Sequence, residues 1–123
     1  MGVLGLNHVA FRSPDPAALR EFYLELTGGE ALDAAHDPVR LGSVLLVFFE
    51  SETGGPGDRD PDELAFDVDA RGFGEILANA ERMGCVTKQP VEPTPWSRAF
   101  LVADPEGRRI EFTYDDRAVY WQE

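Results

Sequence analysis

Apolar and polar positions alternate from Leu6 to Arg12, with Val9 and Phe11 on one face and Leu6, His8, Ala10 and Arg12 on the other. That period of two predicts a half-buried strand. Ser13-Pro14-Asp15-Pro16 then offers two helix starts, Ser13 or Asp15 as cap with a proline just inside. Leu19, Phe22, Tyr23 and Leu26 follow at helical spacing, and Gly28-Gly29 stops the helix. Short strands are expected near Glu30 to Ala34 and Val39 to Leu41, and a strong one from Ser43 to Glu50.

Ser51 to Asp62 is nearly all turn residues and charge and reads as a linker. The pattern then begins again. Glu63 to Val68 alternates, Asp69 can cap a helix carrying Phe73, Ile76, Leu77 and Ala80, and Gly84 closes it. Strands near Cys85 to Lys88, Arg98 to Ala103 and Arg108 to Tyr114 complete the unit, with a tight turn at Asp104 to Gly107. His8 to Phe11 and Glu63 to Phe66 stand 55 positions apart, and Leu46-Val47-Phe48 matches Ile110-Glu111-Phe112 by pattern. The extra length of the second half falls in Gln89 to Ser97, whose prolines predict a loop.

The fold class predicted is therefore α+β: two β-α-β-β-β modules within one domain, 1–123. Module one spans about 3–50, the linker 51–62, module two about 63–115, and a short tail 116–123. One such unit alone leaves a sheet face bare, so the two must pair, within the chain or with another chain.

Composition narrows the partners. With 11 Lys+Arg against 23 Asp+Glu the net charge is −12. Such a surface repels phosphate backbones and anionic lipid, so neither nucleic acid nor a membrane is an expected partner. The acidity serves solubility, or more sharply marks a cleft that prefers a cation. The single cysteine, Cys85, excludes an intrachain disulfide and thiolate metal clusters. No apolar run approaches the length of a membrane span, and Met1 to Asn7 lack the pattern of a secretion signal, so a cytoplasmic location is expected.

If the apolar set of each strand faces its helix, the opposite, concave face carries His8, Glu63 and Glu111, with Val47 in the place of Glu111 in the first module. A histidine and two carboxylates can bind a divalent metal and leave positions open for substrate. A lone strand histidine is equally at home as a surface residue, and Glu63 as a solvated one.

LNHVAF, the helix ending FYLELTGG, and DPEGRRIEF together resemble the vicinal oxygen chelate superfamily over nearly the whole chain. That superfamily includes glyoxalase I, extradiol ring-cleavage dioxygenases, methylmalonyl-CoA epimerase, and the fosfomycin and bleomycin resistance proteins. The resemblance implies paired modules forming a cupped, barrel-like mixed sheet with helices outside, and a homodimer. It implies His8 and Glu111 as metal ligands, with Glu63 where many members carry a second histidine and Val47 where glyoxalase I carries a Glu or Gln. Such a ligand set suits Mn, Fe, Zn, Ni or Mg. Glu111 or Glu63 would act as general base. Arg12, Val47, Phe49, Trp96, Arg98 and Thr113 would shape the substrate site around a small oxygen-bearing molecule. His36 would sit in a turn or at the cleft edge, and Tyr120-Trp121 in subunit or cleft packing.

Two function classes follow. One is a divalent-metal-dependent isomerase, lyase or ring-cleavage dioxygenase; the other is a metal-free binding protein similar to bleomycin resistance proteins. His8 with Glu111 points to the first, the net charge and Val47 to the second.

Overall fold

The computed structural model describes residues 2, 5–55, 63–94 and 97–115. Strand β1 (His8–Ser13) keeps the expected alternation, with Phe11 and Ser13 buried and His8, Ala10 and Arg12 exposed. Of the two candidate caps, Asp15 starts helix α1 (Pro16–Thr27), its side chain accepting from the Ala18 amide at 3.1 Å. Ser13 does something else: its hydroxyl accepts from the Asp15 amide at 2.9 Å and donates to the Glu106 carboxylate. Gly28 ends the helix in the left-handed conformation, φ 67°, a position that penalises any Cβ.

The sheet continues through β2 (Glu30–Ala31), β3 (Val39–Leu41) and β4 (Val44–Glu50). β2 is shorter than expected because the chain turns back on itself, Leu32 donating to the Pro38 carbonyl across His36 and Asp37, both at positive φ. The second half repeats the order. β5 (Glu63–Asp67) leads into α2 (Ala70–Met83), capped by Asp69 on the Gly72 amide at 2.7 Å and closed by Gly84. Then come β6 (Val86–Thr94), β7 (Ser97–Ala103) and β8 (Arg109–Asp115).

Two four-stranded mixed sheets result, ordered β1-β4-β3-β2 and β5-β8-β7-β6. In each, the first strand runs parallel to the last and the other pairs are antiparallel. The sheets do not close into a barrel, so the arrangement is cupped. The expected loop at Gln89 to Ser97 is corrected: β6 runs on through Pro90 and Pro93 to Thr94. A proline cannot donate to a ladder, but β6 is a sheet edge and its pairing with β7 slips register three times, so the missing amides are tolerated there.

The helix-facing sides of both sheets share one core. Phe11, Leu19, Tyr23, Leu26 and Phe48 from the first half join Phe73, Ile76, Phe100, Ile110 and Phe112 from the second. No helix among the described residues is long and apolar enough to cross a membrane.

A buried polar network ties the halves together. The Asp104 carboxylate is wholly covered and takes four hydrogen bonds: from the Tyr23 hydroxyl at 2.7 Å, the Glu106 and Arg108 amides at 2.8 and 3.0 Å, and Arg108 Nη1 at 3.1 Å. Arg108 also pairs with Glu106 at 3.1 Å, donates to the Arg12 carbonyl, and lies 4.9 Å from the centre of the Phe11 ring. Burial, then the Asp104 charge, pushes the Tyr23 phenol far above the ordinary tyrosine range, so it remains a donor at any working pH.

Removing the cation from this network strands a buried carboxylate. Arg108→Met is expected to cost about 3 kcal/mol. Tyr23→Phe, which leaves three donors on Asp104, is expected to cost about 1 kcal/mol. Urea unfolding midpoints of the two variants against the parent protein check both the direction and the order.

Candidate metal and substrate site

The face of each sheet away from the shared core is the open one, and the register says what stands on it. On the first sheet His8, Ala10 and Arg12 lie opposite Leu45, Val47 and Phe49. On the second, Ala65 and Asp67 lie opposite Glu111 and Thr113, with Glu63 one step back along β5. Position for position, His8 answers to Glu63, Ala10 to Ala65, and Val47 to Glu111.

Glu63 and Glu111 come together. Both line a cavity of about 310 Å³ with Lys88, Glu92, Val91 and Leu101. The Glu111 carboxyl is pushed up from its ordinary range, first by partial burial and then by the Glu63 charge, while Lys88 pulls it back. Two carboxylates sharing a site relieve their repulsion by holding a proton or by sharing a cation. The donor chemistry therefore fits a divalent ion in part: this sheet offers two oxygen ligands.

His8 stands on the other sheet, exposed, with Nδ1 held by Asn7 Oδ1 at 2.8 Å. Fixing Nδ1 leaves Nε2 as the nitrogen free to coordinate, the arrangement metal-bound histidines use. Among the described residues no three His, Cys, Asp or Glu side chains gather into a metal-holding set, so one chain does not bring His8 to Glu63 and Glu111.

The remaining candidates divide. Val47 is half-buried beside Ala10; Phe49 is 36% exposed and packs its ring 4.4 Å from that of His36, which places His36 at the rim of the first open face. Arg12 is exposed on that face, while its carbonyl is taken by Arg108. Thr113 is on the open face of the second sheet, its hydroxyl directed to the Arg98 carbonyl at 3.4 Å. Arg98 itself is not on the open face. Its guanidinium lies over the Phe73 ring of α2 at 5.0 Å, because Phe100 and Val102 point to the helix side and Arg98 shares their parity. Trp96 and Tyr120-Trp121 lie outside the described residues.

Lys88 and Leu101 were not among the sequence candidates. Leu101 pairs directly with Glu111 and also with Lys88, so its position in the strand was the available signal. The register slips in β6 hid Lys88 from simple alternation.

A model of the Glyoxalase/Bleomycin resistance protein/Dioxygenase superfamily matches residues 5–112. Several solved structures share the fold. The oxidase ChaP-H2 is 23% identical, covering 93% of this chain and 94% of its own, with a TM-score of 0.71. A glyoxalase family protein from Bacillus anthracis is 23% identical, covering 93% and 97%, at 0.72. A lactoylglutathione lyase from Agrobacterium tumefaciens is 16% identical, covering 93% and 96%, at 0.70. At these identities the likeness is one of fold. No curated protein matches closely enough to count as a relative.

The coupling of the two carboxyls has a direct readout. Glu63→Gln removes the neighbouring charge, and the Glu111 midpoint should fall, followed by carboxyl-carbon NMR through a pH titration. The sign for stability follows from the raised value. Glu111→Gln should stabilise the protein at pH above the Glu111 midpoint and lose that advantage as the pH falls below the unfolded glutamate range.

Proposed function

The chain belongs to the Glyoxalase/Bleomycin resistance protein/Dioxygenase superfamily, and from that premise we propose that it is a divalent-metal-dependent enzyme acting on a small oxygen-bearing molecule. The observation that carries this reading is the Glu63–Glu111 pair on an open sheet face, with Glu111 held above its ordinary range partly by its neighbour. Two oxygen ligands from one chain would be completed by His8 of a second copy, which makes the working form a homodimer. Mn, Fe, Zn, Ni or Mg suits such a set. When bound, the ion supplies Lewis-acid stabilisation of an enolate or alkoxide oxygen on the substrate.

The chain's own residues would do the rest. Glu111, a carboxylate lining the cavity, would leave the ion to take a proton from the substrate and return it. Glu63 is the second candidate for that role. Lys88 brings a positive charge to the same cavity for an anionic substrate group. Arg12, Val47, Phe49 and Thr113 line the open faces and would select shape. An isomerase, lyase or ring-cleavage dioxygenase reaction fits this inventory. A cytoplasmic setting fits a chain with one cysteine.

A second reading has its own support. Val47 stands where the repeat would put a donor, and the Lys88 charge offsets that of Glu111. A metal-free small-molecule binding protein would use the same cavity.

Metal titration of untagged protein separates the readings. One ion per chain is expected for at least one of Mn²⁺, Fe²⁺, Zn²⁺, Ni²⁺ and Mg²⁺, lost on His8→Ala and on Glu111→Ala. Mixing the two variants should restore part of the binding, because one site of each mixed dimer then holds an intact His8 and an intact Glu111. Absence of binding for all five ions would leave the metal-free reading standing.

A further inference from the structure

The repeat makes a prediction about a second place, remote from the carboxylate pair. In the first half, the end of β1 meets the β7–β8 turn of the other half. There the Arg108 guanidinium covers the Phe11 ring, donates to the Arg12 carbonyl and fills the space between the modules. Phe11 is left 6% exposed.

The symmetric place is where the end of β5 meets the β3–β4 turn. Phe66 answers to Phe11 and stacks on Phe112 as Phe11 packs on Phe48. Asp67 answers to Arg12. Val68 donates to the Thr113 carbonyl, and carbonyls alternate sides along a strand, so the Asp67 carbonyl points away from β8 just as that of Arg12 points away from β4. What differs is the turn. Asp104 to Arg108 separate β7 from β8, whereas only Gly42 and Ser43 separate β3 from β4. No side chain of that short turn can do what Arg108 does.

The result is a cleft of about 360 Å³ lined by Phe66, Asp67, Phe112, Leu41 and Gly42, with Phe66 only half-buried. Glu30 and Arg40 on its rim neutralise one another at 2.7 Å. The Asp67 side chain turns to the open face of β5, so what the cleft offers a ligand is the Phe66 ring beside the outward Asp67 carbonyl.

We propose that this cleft is a binding site for a small guanidinium compound, which takes the place that Arg108 holds in the other half. Its planar group stacks on Phe66 and donates to the Asp67 carbonyl, as Arg108 does with Phe11 and the Arg12 carbonyl. The cleft has the volume of about a dozen waters, so a short aliphatic substituent is accommodated as well.

Ethylguanidinium, followed by amide shifts in the NMR spectrum at physiological salt, is the test. Saturable shifts are expected at Phe66, Asp67, Val68, Leu41 and Gly42, with a Kd on the order of 1 mM. Phe66→Leu, which removes the aromatic face, should weaken binding at least about threefold. Ethylammonium, with the same charge and no plane, should bind more weakly. Equal binding of ethylammonium overturns the assignment, as does unchanged binding by Phe66→Leu. Unsaturating shifts spread across the acidic surface overturn it as well. Both carboxylates of the proposed metal site lie outside the cleft, so its failure and the failure of that proposal are read independently.

Discussion

Asp104 is a charged group that the protein has buried completely, and the fold is arranged so that it stays satisfied. Each of its oxygens receives two donors. Three of the four donors come from its own turn, but the Tyr23 hydroxyl comes from the helix of the other half. A buried carboxylate left short of partners costs far more than an ordinary hydrogen bond contributes. The two halves are therefore held in one relation, and the aromatic core around Tyr23, Phe11 and Phe48 is held with them.

That docking has a consequence for chemistry. Because the helix-facing sides are committed to the shared core, the opposite sheet faces and the seams between the halves are the surfaces the described residues leave beside the candidate donors. The donors are thereby divided: one sheet carries the histidine, the other the two glutamates. Nothing within the chain reunites them among the described residues. The proposed metal chemistry accordingly requires a second copy, and the requirement comes from the packing that makes the chain stable.

Much of this was legible in the sequence wherever a local pattern was decisive. Alternation placed His8, Ala10 and Arg12 on one face of their strand and Glu111 opposite Ile110 and Phe112, and the structure keeps those parities. Both helices begin at an aspartate and end at a glycine, as their spacing required. Reading failed where local pattern was ambiguous. Prolines in Gln89 to Ser97 suggested a loop because an edge strand, which tolerates them, is not distinguishable from a loop without its neighbours. Arg98, expected to help shape the substrate site, lies on the helix side of its strand. The Tyr23–Asp104 contact joins positions 81 apart, and no periodicity announces such a pair.

The duplication is most informative where it is broken. A repeat that kept perfect symmetry would carry two equal sites and two equal seams. Instead the second half has Glu111 where the first has Val47, and a five-residue turn bearing Arg108 where the first has Gly42-Ser43. Both differences add charge to the second half and remove it from the first. In one case the added group is half-buried on an open face, available to chemistry. In the other it is consumed internally, covering Phe11 and bridging the halves. The vacancy that remains at Phe66 has the shape and polarity of the group its counterpart has already bound, so the protein's own Arg108 is the best guide to what that cleft recognises.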